Sequence, residues 1–293
     1  MLYAKPSLPS ELIINPDGSI FHLHLKPGEI ADQIILVGDP GRAKLIGNYF
    51  DTLEVSVESR EFVTRTGTFN GKRLSVLSTG IGTDNIDIVL NELDALVNID
   101  FKTRLPKEEK VTLEFTRIGT TGSLQADIPV DSFILSEYAG GFDGLIYYYQ
   151  SYEKALEKDL TKSFLDRAPI EGAYISPYFC KTSGSFRDAL GKKSIKGITL
   201  SAPGFYGPQG RSLRLQSVFN DFIDQAAEFT YRGYSITNFE MESSAIYGLS
   251  HMLGHKAQTI CAVIANRKTG EASPDYLQTI ERLIAYTLEV IST

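Results

Sequence analysis

Arginine and glycine residues that follow apolar runs are the first chemically suggestive feature of this sequence. Arg117-Ile-Gly-Thr-Thr-Gly122 comes after Val111–Phe115, which alternates apolar and polar residues as a β-strand does. Its two glycines predict a flexible turn with accessible backbone N–H groups beside two threonine hydroxyls. A guanidinium among such donors suits phosphate, because charge-assisted hydrogen bonds are about twice as strong as neutral ones. For these six residues alone, a strand end with a solvated arginine is an equally good interpretation.

Two further glycine-bearing segments also follow apolar runs. Gly38–Arg42 comes after Ile34–Val37, and Thr79–Thr83 comes after Leu74–Ser78. Ligands of open α/β sheets bind at the carboxyl ends of strands, so we expect these two segments and Arg117–Gly122 to face one cleft. Neither a complete dinucleotide-binding glycine pattern nor a Walker-type phosphate loop is present in the sequence, which disfavours a Rossmann dehydrogenase.

The elements that would position these segments alternate between strands and helices. Further predicted strands are Leu53–Ser59, Glu61–Phe69, Asp131–Glu137, Ala173–Cys180, Ile198–Ser201 and Ala257–Ala265. Predicted helices are Ala43–Phe50, Ser151–Leu165, Leu215–Ala226, Met241–Leu253 and Tyr276–Ile291, with another between Ile86 and Val97. Glycine-rich loops are predicted at Tyr138–Gly144 and Ala202–Ser212. This order favours a single mixed α/β domain over residues 1–293, in which residues 1–20 form an N-terminal extension.

Composition restricts the kind of partner. The 293 residues carry a formal net charge of −7, which disfavours nucleic acid or an anionic membrane as the main ligand. We see no secretory signal and no apolar run of membrane-spanning length. The two cysteines, Cys180 and Cys261, are far apart in the sequence and are expected to be thiols in a reducing compartment. We therefore expect a cytoplasmic protein.

Six motifs in this order resemble the nucleoside phosphorylase family, and most closely its uridine phosphorylases. They are Gly38-Asp-Pro-Gly-Arg42, Ser59-Arg-Glu-Phe62, Ser78-Thr-Gly-Ile-Gly82, Arg117–Gly122, Phe205-Tyr-Gly-Pro-Gln-Gly-Arg211 and Asn238-Phe-Glu-Met-Glu-Ser243. The resemblance implies a distorted, barrel-like mixed sheet flanked by helices. It also implies a pentosyltransferase of pyrimidine salvage, which converts uridine and inorganic phosphate reversibly to uracil and ribose 1-phosphate. No organic cofactor or catalytic metal would be needed.

The matched motifs imply which residues of this chain contact phosphate and ribose. The implied phosphate ligands are Gly38, Arg42, Arg60, Arg117 and Thr120, of which Arg60 would reach in from a neighbouring subunit. The implied ribose ligands are His22, Glu240, Met241 and Glu242, with His22 contacting the 5′ end of the ribose across the interface. The resemblance therefore implies a homo-oligomer with shared sites, namely a dimer that assembles into a hexamer.

The implied base pocket decides the substrate. Phe205, Gln209, Arg211 and Arg267 match residues around uracil in the pyrimidine enzymes. A glutamine amide both donates and accepts, as O2 and N3–H of uracil require, and an arginine can donate to O4. Purine-specific relatives have an aspartate where this chain has Asn266, which argues against purines. The catalytic set would be Arg117, Thr120, Glu242 and Arg211.

Alternatives remain at this point. Another phosphorylase or hydrolase of the same family could act on thymidine, deoxyuridine, a thio-nucleoside or a purine nucleoside, and a third class is a nucleoside-binding protein without turnover. In some relatives a structural potassium ion binds at the dimer interface, near the positions of Glu61, Ile81 and Asn85. Asn85 stands where those relatives have a serine, which leaves such an ion open.

Overall fold

The computed structural model describes residues 5–167, 176–219 and 222–293 of the chain. The strands are β1 Gln33–Val37, β2 Thr52–Ser59, β3 Phe62–Phe69, β4 Lys72–Ser78, β5 Ile99–Asp100, β6 Leu105–Pro106, β7 Glu114–Ser123, β8 Phe133–Gly141, β9 Tyr178–Lys181, β10 Ile195–Ser201, β11 Thr230–Tyr231, β12 Tyr234–Glu240 and β13 Lys256–Asn266. The α-helices are α1 Pro40–Gly47, α2 Thr83–Asn98, α3 Lys158–Arg167, α4 Arg187–Leu190, α5 Phe222–Glu228, α6 Ser243–Leu253 and α7 Tyr276–Ile291. Short 3-10 helices lie at Leu145–Tyr148, Tyr152–Lys154, Gly191–Lys193 and Gly207–Gln209.

One mixed sheet contains most of these strands, and five of them close into a ring. β7 pairs with β13, β13 with β8, β8 with β10 and β10 with β12, and β12 returns antiparallel to β7. The strands β1, β4, β3 and β2 extend the sheet from β7 in that order. Because β4, β1, β7 and β13 are parallel, their carboxyl ends lie at one edge. The predicted single-domain mixed fold with a barrel-like sheet is confirmed.

Strand β1 is buried on both faces, as its continuous apolar run predicts. Ile34 and Leu36 belong to an apolar cluster with α2 and α6, whereas Ile35 and Val37 belong to a second cluster with α1 and α7. Helices therefore cover both sides of the strand that leads into Gly38–Arg42. This packing holds the phosphate-binding candidate Arg42 on a rigid support.

The predicted turn at Arg117–Gly122 is wrong, because these residues continue β7. Their strand is paired with β13 along its whole length, from Glu114 to Ser123. Gly119 is needed for space rather than for flexibility. A Cβ atom there would lie 2.0 Å from Arg117 Nη1 and 2.8 Å from Cys261 Sγ, well inside ordinary contact distance.

Several other predicted elements differ from the structure. The loop Tyr138–Gly144 is wrong, since β8 continues to Gly141 between β9 and β10. The first half of the helix Ser151–Leu165 is also wrong, since α3 begins at Lys158. Residues 215–219 are not helical, and α5 begins at Phe222. Within the predicted strand Ala173–Cys180, residues 173–175 lie outside the described residues, and β9 begins at Tyr178.

Sequence reasoning did not predict β12, the strand that closes the ring. Its segment, Tyr-Ser-Ile-Thr-Asn-Phe-Glu, is too polar to resemble a buried strand. The polar atoms are nevertheless satisfied, because Asn238 donates to Thr121 Oγ1 at 2.8 Å and accepts from Thr199 Oγ1 at 2.9 Å. Burial of such groups is tolerated when they are hydrogen-bonded.

Other expectations concern the chain ends, the cysteines and membranes. Leu12 and Ile20 are buried in the main core, so the N-terminal segment packs onto the domain from Leu12 onwards. Cys180 and Cys261 are both buried free thiols, as expected. Among the described residues, no helix is both long and apolar enough to cross a membrane.

Candidate active site

A cavity of about 740 Å³ lies at the carboxyl ends of β1, β4, β10, β12 and β13 and beside the second half of β7. All three glycine-bearing segments contribute to its wall, as expected. The residues singled out from the sequence that line it are Gly38, Arg42, Glu61, Ile81, Asn85, Arg117, Thr120, Phe205, Gln209, Arg211, Glu240, Met241 and Glu242. Three other candidates, His22, Arg60 and Arg267, are not among the described residues that line it.

Arg117 is buried at the centre of the cavity wall and binds two carboxylates. Its Nη2 donates to Glu242 Oε2 and lies 3.3 Å from Glu240 Oε2. Burial alone would lower the pKa of Arg117, but Glu242 and Glu240 raise it above its ordinary value, so the guanidinium stays charged. Its Nη1 is buried and has no hydrogen-bond partner in the described part of the chain. The side chain thus keeps one donor for a ligand.

Glu240 is held by a set of donors at the end of β12. Its carboxylate accepts hydrogen bonds from Ser201 Oγ and from the backbone N–H groups of Glu242 and Ser243, the latter two at 3.0 Å. Burial raises the pKa of Glu240, Arg117 opposes this shift, and the nearby Glu242 adds to it. Ser201, at the end of β10, was missed by sequence reasoning because its partner strand β12 was missed.

Glu242 is fixed from the opposite side of the cavity. Its Oε1 accepts the backbone N–H of Gly82 at 2.9 Å, and its Oε2 accepts from Arg117. The loop after β4, the strand β7 and the start of α6 are therefore joined through one carboxylate. This arrangement leaves the two glutamates as acceptors beside a buried arginine, which suits a ligand with several hydroxyl groups and a nearby anion.

Arg42 supplies a second guanidinium from the first turn of α1. The helix begins after Asp39, whose side chain accepts the N–H of Gly41 at 2.8 Å, with Pro40 at the first helical position. Arg42 Nη1 donates to the carbonyl of Ile118 at 3.3 Å, which places it over β7. Burial, and then repulsion by Arg117, lower the pKa of Arg42. An anion bound between the two arginines would relieve that repulsion.

The four base-pocket candidates lie together in and beside the loop that follows β10. Arg211 Nη1 donates to Gln209 Oε1 and to the carbonyl of Phe205, both at 2.6 Å, and its guanidinium lies 3.9 Å from the Phe205 ring centroid. Arg267 Nη1 donates to the Gln209 carbonyl at 2.6 Å. Burial, and secondarily Arg211, lower the pKa of Arg267 to about 10. Arg267 thus supports the loop from outside the cavity.

Asn266 contributes to the loop rather than to the cavity. It is buried and donates to the carbonyls of Gln125 and Ile128 at 2.9 and 2.8 Å, while it accepts the N–H groups of Lys268 and Thr269. All of its hydrogen-bonding capacity is therefore used within the protein. The chain thus has a fully hydrogen-bonded amide, and no acidic group, at this position.

His22 and Arg60 are not among the described residues that line the cavity, although Glu61, which follows Arg60, is one of them. Ser59 Oγ donates to the His22 carbonyl at 2.8 Å, and the Arg60 guanidinium lies 5.6 Å from the ring centroid of Phe21. Arg60 stands in the two-residue turn between β2 and β3 with a φ of 56°, a conformation that costs a non-glycine residue energy. Arg60 is exposed and His22 is half-buried, and contacts of Ser59 and Phe21 join the two segments that carry them.

The three residues implied for potassium are neighbours on the cavity wall. Asn85 Nδ2 donates to Glu61 Oε1 at 3.2 Å, and both side chains pack against Gly80. The Asn85 amide therefore already donates to one of the two oxygens of the Glu61 carboxylate. We derive no step of the reaction from a cation at this position.

Comparison with known proteins agrees with the sequence resemblance. The family model described as "Phosphorylase superfamily" matches residues 32–291. The chain is 32% identical to a protein of Thermococcus kodakarensis named "Uridine phosphorylase", over 87% of this chain and 80% of that one. It is 27% identical to a "Purine nucleoside phosphorylase DeoD-type" of Colwellia psychrerythraea, over 92% and 98% of the two chains.

A solved structure matches at the level of the whole fold. It is a nucleoside phosphorylase of Trypanosoma brucei, described as showing uridine phosphorylase activity, with a TM-score of 0.86 and 29% identity over 96% of this chain and 100% of the other. The matched region includes the closed ring of strands and every segment that lines the cavity. This chain belongs to the phosphorylase superfamily.

Proposed function

We propose that this protein catalyses the reversible cleavage of uridine by inorganic phosphate, giving uracil and ribose 1-phosphate. The observation that carries the proposal is the composition of one cavity. It combines two neighbouring arginines, Arg42 and Arg117, two buried carboxylates, and an amide–guanidinium pair, Gln209 and Arg211. These groups match an anion, a sugar with hydroxyls, and a pyrimidine base, respectively.

The reaction follows from the chemistry of these groups. A phosphate oxygen held by Arg42, Arg117 Nη1 and Thr120 would attack the anomeric carbon as its bond to N1 of uracil breaks. The electron pair of that bond leaves with the base, and Arg211 and Gln209 stabilise the negative charge that develops there. Glu240 and Glu242 accept the ribose hydroxyls, and Met241 packs beside the sugar. The leaving uracil anion finally takes up a proton from water, and the hydrogen phosphate releases one to water as it becomes the ribose ester, so the protons balance.

The names of the relatives support a pyrimidine substrate, but they include both pyrimidine and purine phosphorylases. Two curated relatives at 28–32% identity are named uridine phosphorylase, whereas others at 27% are named purine nucleoside phosphorylase. The side chains at the base pocket favour the first class. In the described structure Gln209 and Arg211 line the cavity, and β13 ends on the amide Asn266 rather than on an acidic residue.

The decisive experiment measures release of free base from uridine, thymidine and inosine, each with and without phosphate. We expect phosphate-dependent cleavage of uridine well above that of inosine. Cleavage without phosphate would indicate a hydrolase, and a preference for inosine would refute the base-pocket assignment. Tight uracil binding with no turnover at saturating phosphate would indicate a binding protein.

The base pocket has its own test in Arg211→Ala. Because a hydrogen bond to a charged group contributes about 1.5–3 kcal/mol, kcat/KM for uridine should fall by at least about tenfold. Arg214→Ala is a matched control, since Arg214 is an exposed arginine of the same segment that does not line the cavity in the described structure. Equal activity of the two variants would contradict the role given to Arg211.

We further propose a homo-oligomer with shared sites, a hexamer built from dimers, to which His22 and Arg60 contribute across the dimer interface. Neither residue is among the described residues that line the cavity of its own protomer, which supports this arrangement. Variants Arg60→Ala and Glu242→Ala, each inactive alone, should regain activity when their subunits are exchanged. A fully active monomer in sedimentation would refute the proposal. Interface potassium and a cytoplasmic location stay predictions.

A further inference from the structure

Glu92, in the third turn of α2, makes several hydrogen bonds to His22 and its neighbour Leu23. Its Oε1 lies 2.6 Å from His22 Nδ1 and accepts the backbone N–H of His22 at 3.1 Å. Its Oε2 accepts the backbone N–H of Leu23 at 2.9 Å. One carboxylate therefore fixes both the backbone and the ring of the histidine. The Glu92 side chain is 13% exposed and that of His22 is 31% exposed.

The chemistry of this contact fixes the tautomer of the imidazole. An ionised carboxylate accepts hydrogen bonds only, so the proton of a neutral His22 must be on Nδ1. Nε2 then carries a lone pair, and no hydrogen bond to it occurs among the described residues. The half-buried ring therefore keeps an unused acceptor, on the segment that is assigned above to the subunit interface.

We propose that Glu92 is a positioning residue, which holds His22 with Nε2 as an acceptor for the 5′-hydroxyl of the nucleoside bound by the neighbouring subunit. The inference rests on the proposed function. A histidine ring that a carboxylate orients through its other nitrogen loses less rotational freedom when it binds a ligand. Through His22, Glu92 would affect binding of the 5′ end of the nucleoside, which takes no part in bond cleavage.

The alternative is that Glu92 only anchors the backbone at His22 and Leu23. Glu92→Gln separates the two roles, because its amide oxygen can still accept the backbone N–H groups while its amide nitrogen donates toward Nδ1. The substrate pair uridine and 5′-deoxyuridine supplies the readout, since the second compound lacks the hydroxyl. Glu11→Gln is the matched control: Glu11 lines the same surface cavity as Glu92 but accepts the N–H of Leu8.

We expect Glu92→Gln to lower kcat/KM for uridine by about fivefold, the effect of one weakened hydrogen bond, and to leave 5′-deoxyuridine within about twofold of wild type. In a His22→Ala background, Glu92→Gln should have no further effect on uridine, because it acts through the histidine. Glu11→Gln should behave as wild type with both substrates.

Equal losses with both substrates, or no loss with either, would overturn the inference and leave a backbone anchor. A second measurement does not depend on activity: ¹⁵N chemical shifts of the His22 ring, assigned with His22→Ala among only four histidines, report the tautomer directly. Nδ1–H in wild type supports the inference, and Nε2–H overturns it. Failure of wild type to cleave uridine with phosphate would refute the proposed function, while the tautomer would still test the Glu92 contact.

Discussion

Gly119→Ala offers a direct test of how the fold positions Arg117. The glycine is in the middle of β7, and a Cβ there would lie 2.0 Å from Arg117 Nη1 and 3.0 Å from its Cζ. Since non-bonded atoms require roughly 3.5 Å, the guanidinium must move by more than about 1 Å. Such a shift takes Nη2 away from Glu242 and Glu240, which it binds in the structure.

The expected losses of stability and activity follow from the ion pairs of Arg117 that this shift breaks. Separating a buried charge from its partner costs about 3–5 kcal/mol, and overpacking a filled site costs about 1–3 kcal/mol. These costs overlap, because one movement relieves the clash and breaks the ion pair, so we expect the free energy of unfolding to fall by about 3 kcal/mol. A misplacement of about 1 Å in a positioning group typically lowers activity about 100-fold, which is the loss expected in kcat/KM for uridine.

Urea denaturation at one protein concentration and phosphate-dependent uracil release measure the two effects. Gly122→Ala, on the same strand, is the control for stability: its Cβ would lie 3.4 Å from Arg267 Cγ, an ordinary contact. We expect Gly119→Ala to unfold at clearly lower urea than Gly122→Ala. If the two variants unfold alike and Gly119→Ala keeps its activity, the guanidinium is not confined as the structure indicates and the reasoning fails.

Two further predictions concern residues with positive φ. Arg60→Gly should be at least as stable as wild type in urea, because glycine relieves a turn at φ 56°, yet it should lose phosphate-dependent activity; a stable and fully active variant would contradict the role of Arg60. Asp131 accepts from Ser273 Oγ at 2.5 Å and Thr279 Oγ1 at 2.6 Å, and these hydrogen bonds lower its pKa below the ordinary value. Its ionised form therefore stabilises the fold at neutral pH, and this contribution is lost as pH falls through the folded-state pKa. Asp131→Asn should be less stable than wild type near pH 7, with a difference that shrinks toward pH 3 in urea titrations; a pH-independent difference would refute this.

Local sequence pattern was sufficient to predict a helix with one apolar face and a strand made of one continuous apolar run. The helix predicted at Tyr276–Ile291 has those bounds in the structure, and the apolar run of β1 is buried on both faces. Both succeed because periodicity or continuous apolarity reports burial directly. Pattern failed at β12, whose buried polar residues are satisfied only by neighbouring strands that are distant in sequence.

For the candidate active site, too, the sequence predicted some features and missed others. Motif order pointed to many of the residues that line the cavity, because the chemistry of phosphate, ribose and base restricts which residue types can stand in each motif. It also pointed to His22, Arg60 and Arg267, which are not among the described lining residues. It misinterpreted Gly119, whose requirement comes from the Arg117 side chain two residues earlier and from Cys261 on β13. It also gave no signal for Ser201 or Glu92, which act on other side chains and resemble ordinary polar residues.

The sequence by itself therefore determined the family, the mixed α/β class and the types of group available for binding phosphate, sugar and pyrimidine. Only the tertiary structure decided how those groups are held: Arg117 between two glutamates, Glu240 on Ser201, and His22 on Glu92. The physical reason is that the chemical type of a side chain can be read directly from the sequence. Its charge partners, free donors and available space are set by strands and helices that meet only when the ring of β7, β13, β8, β10 and β12 closes.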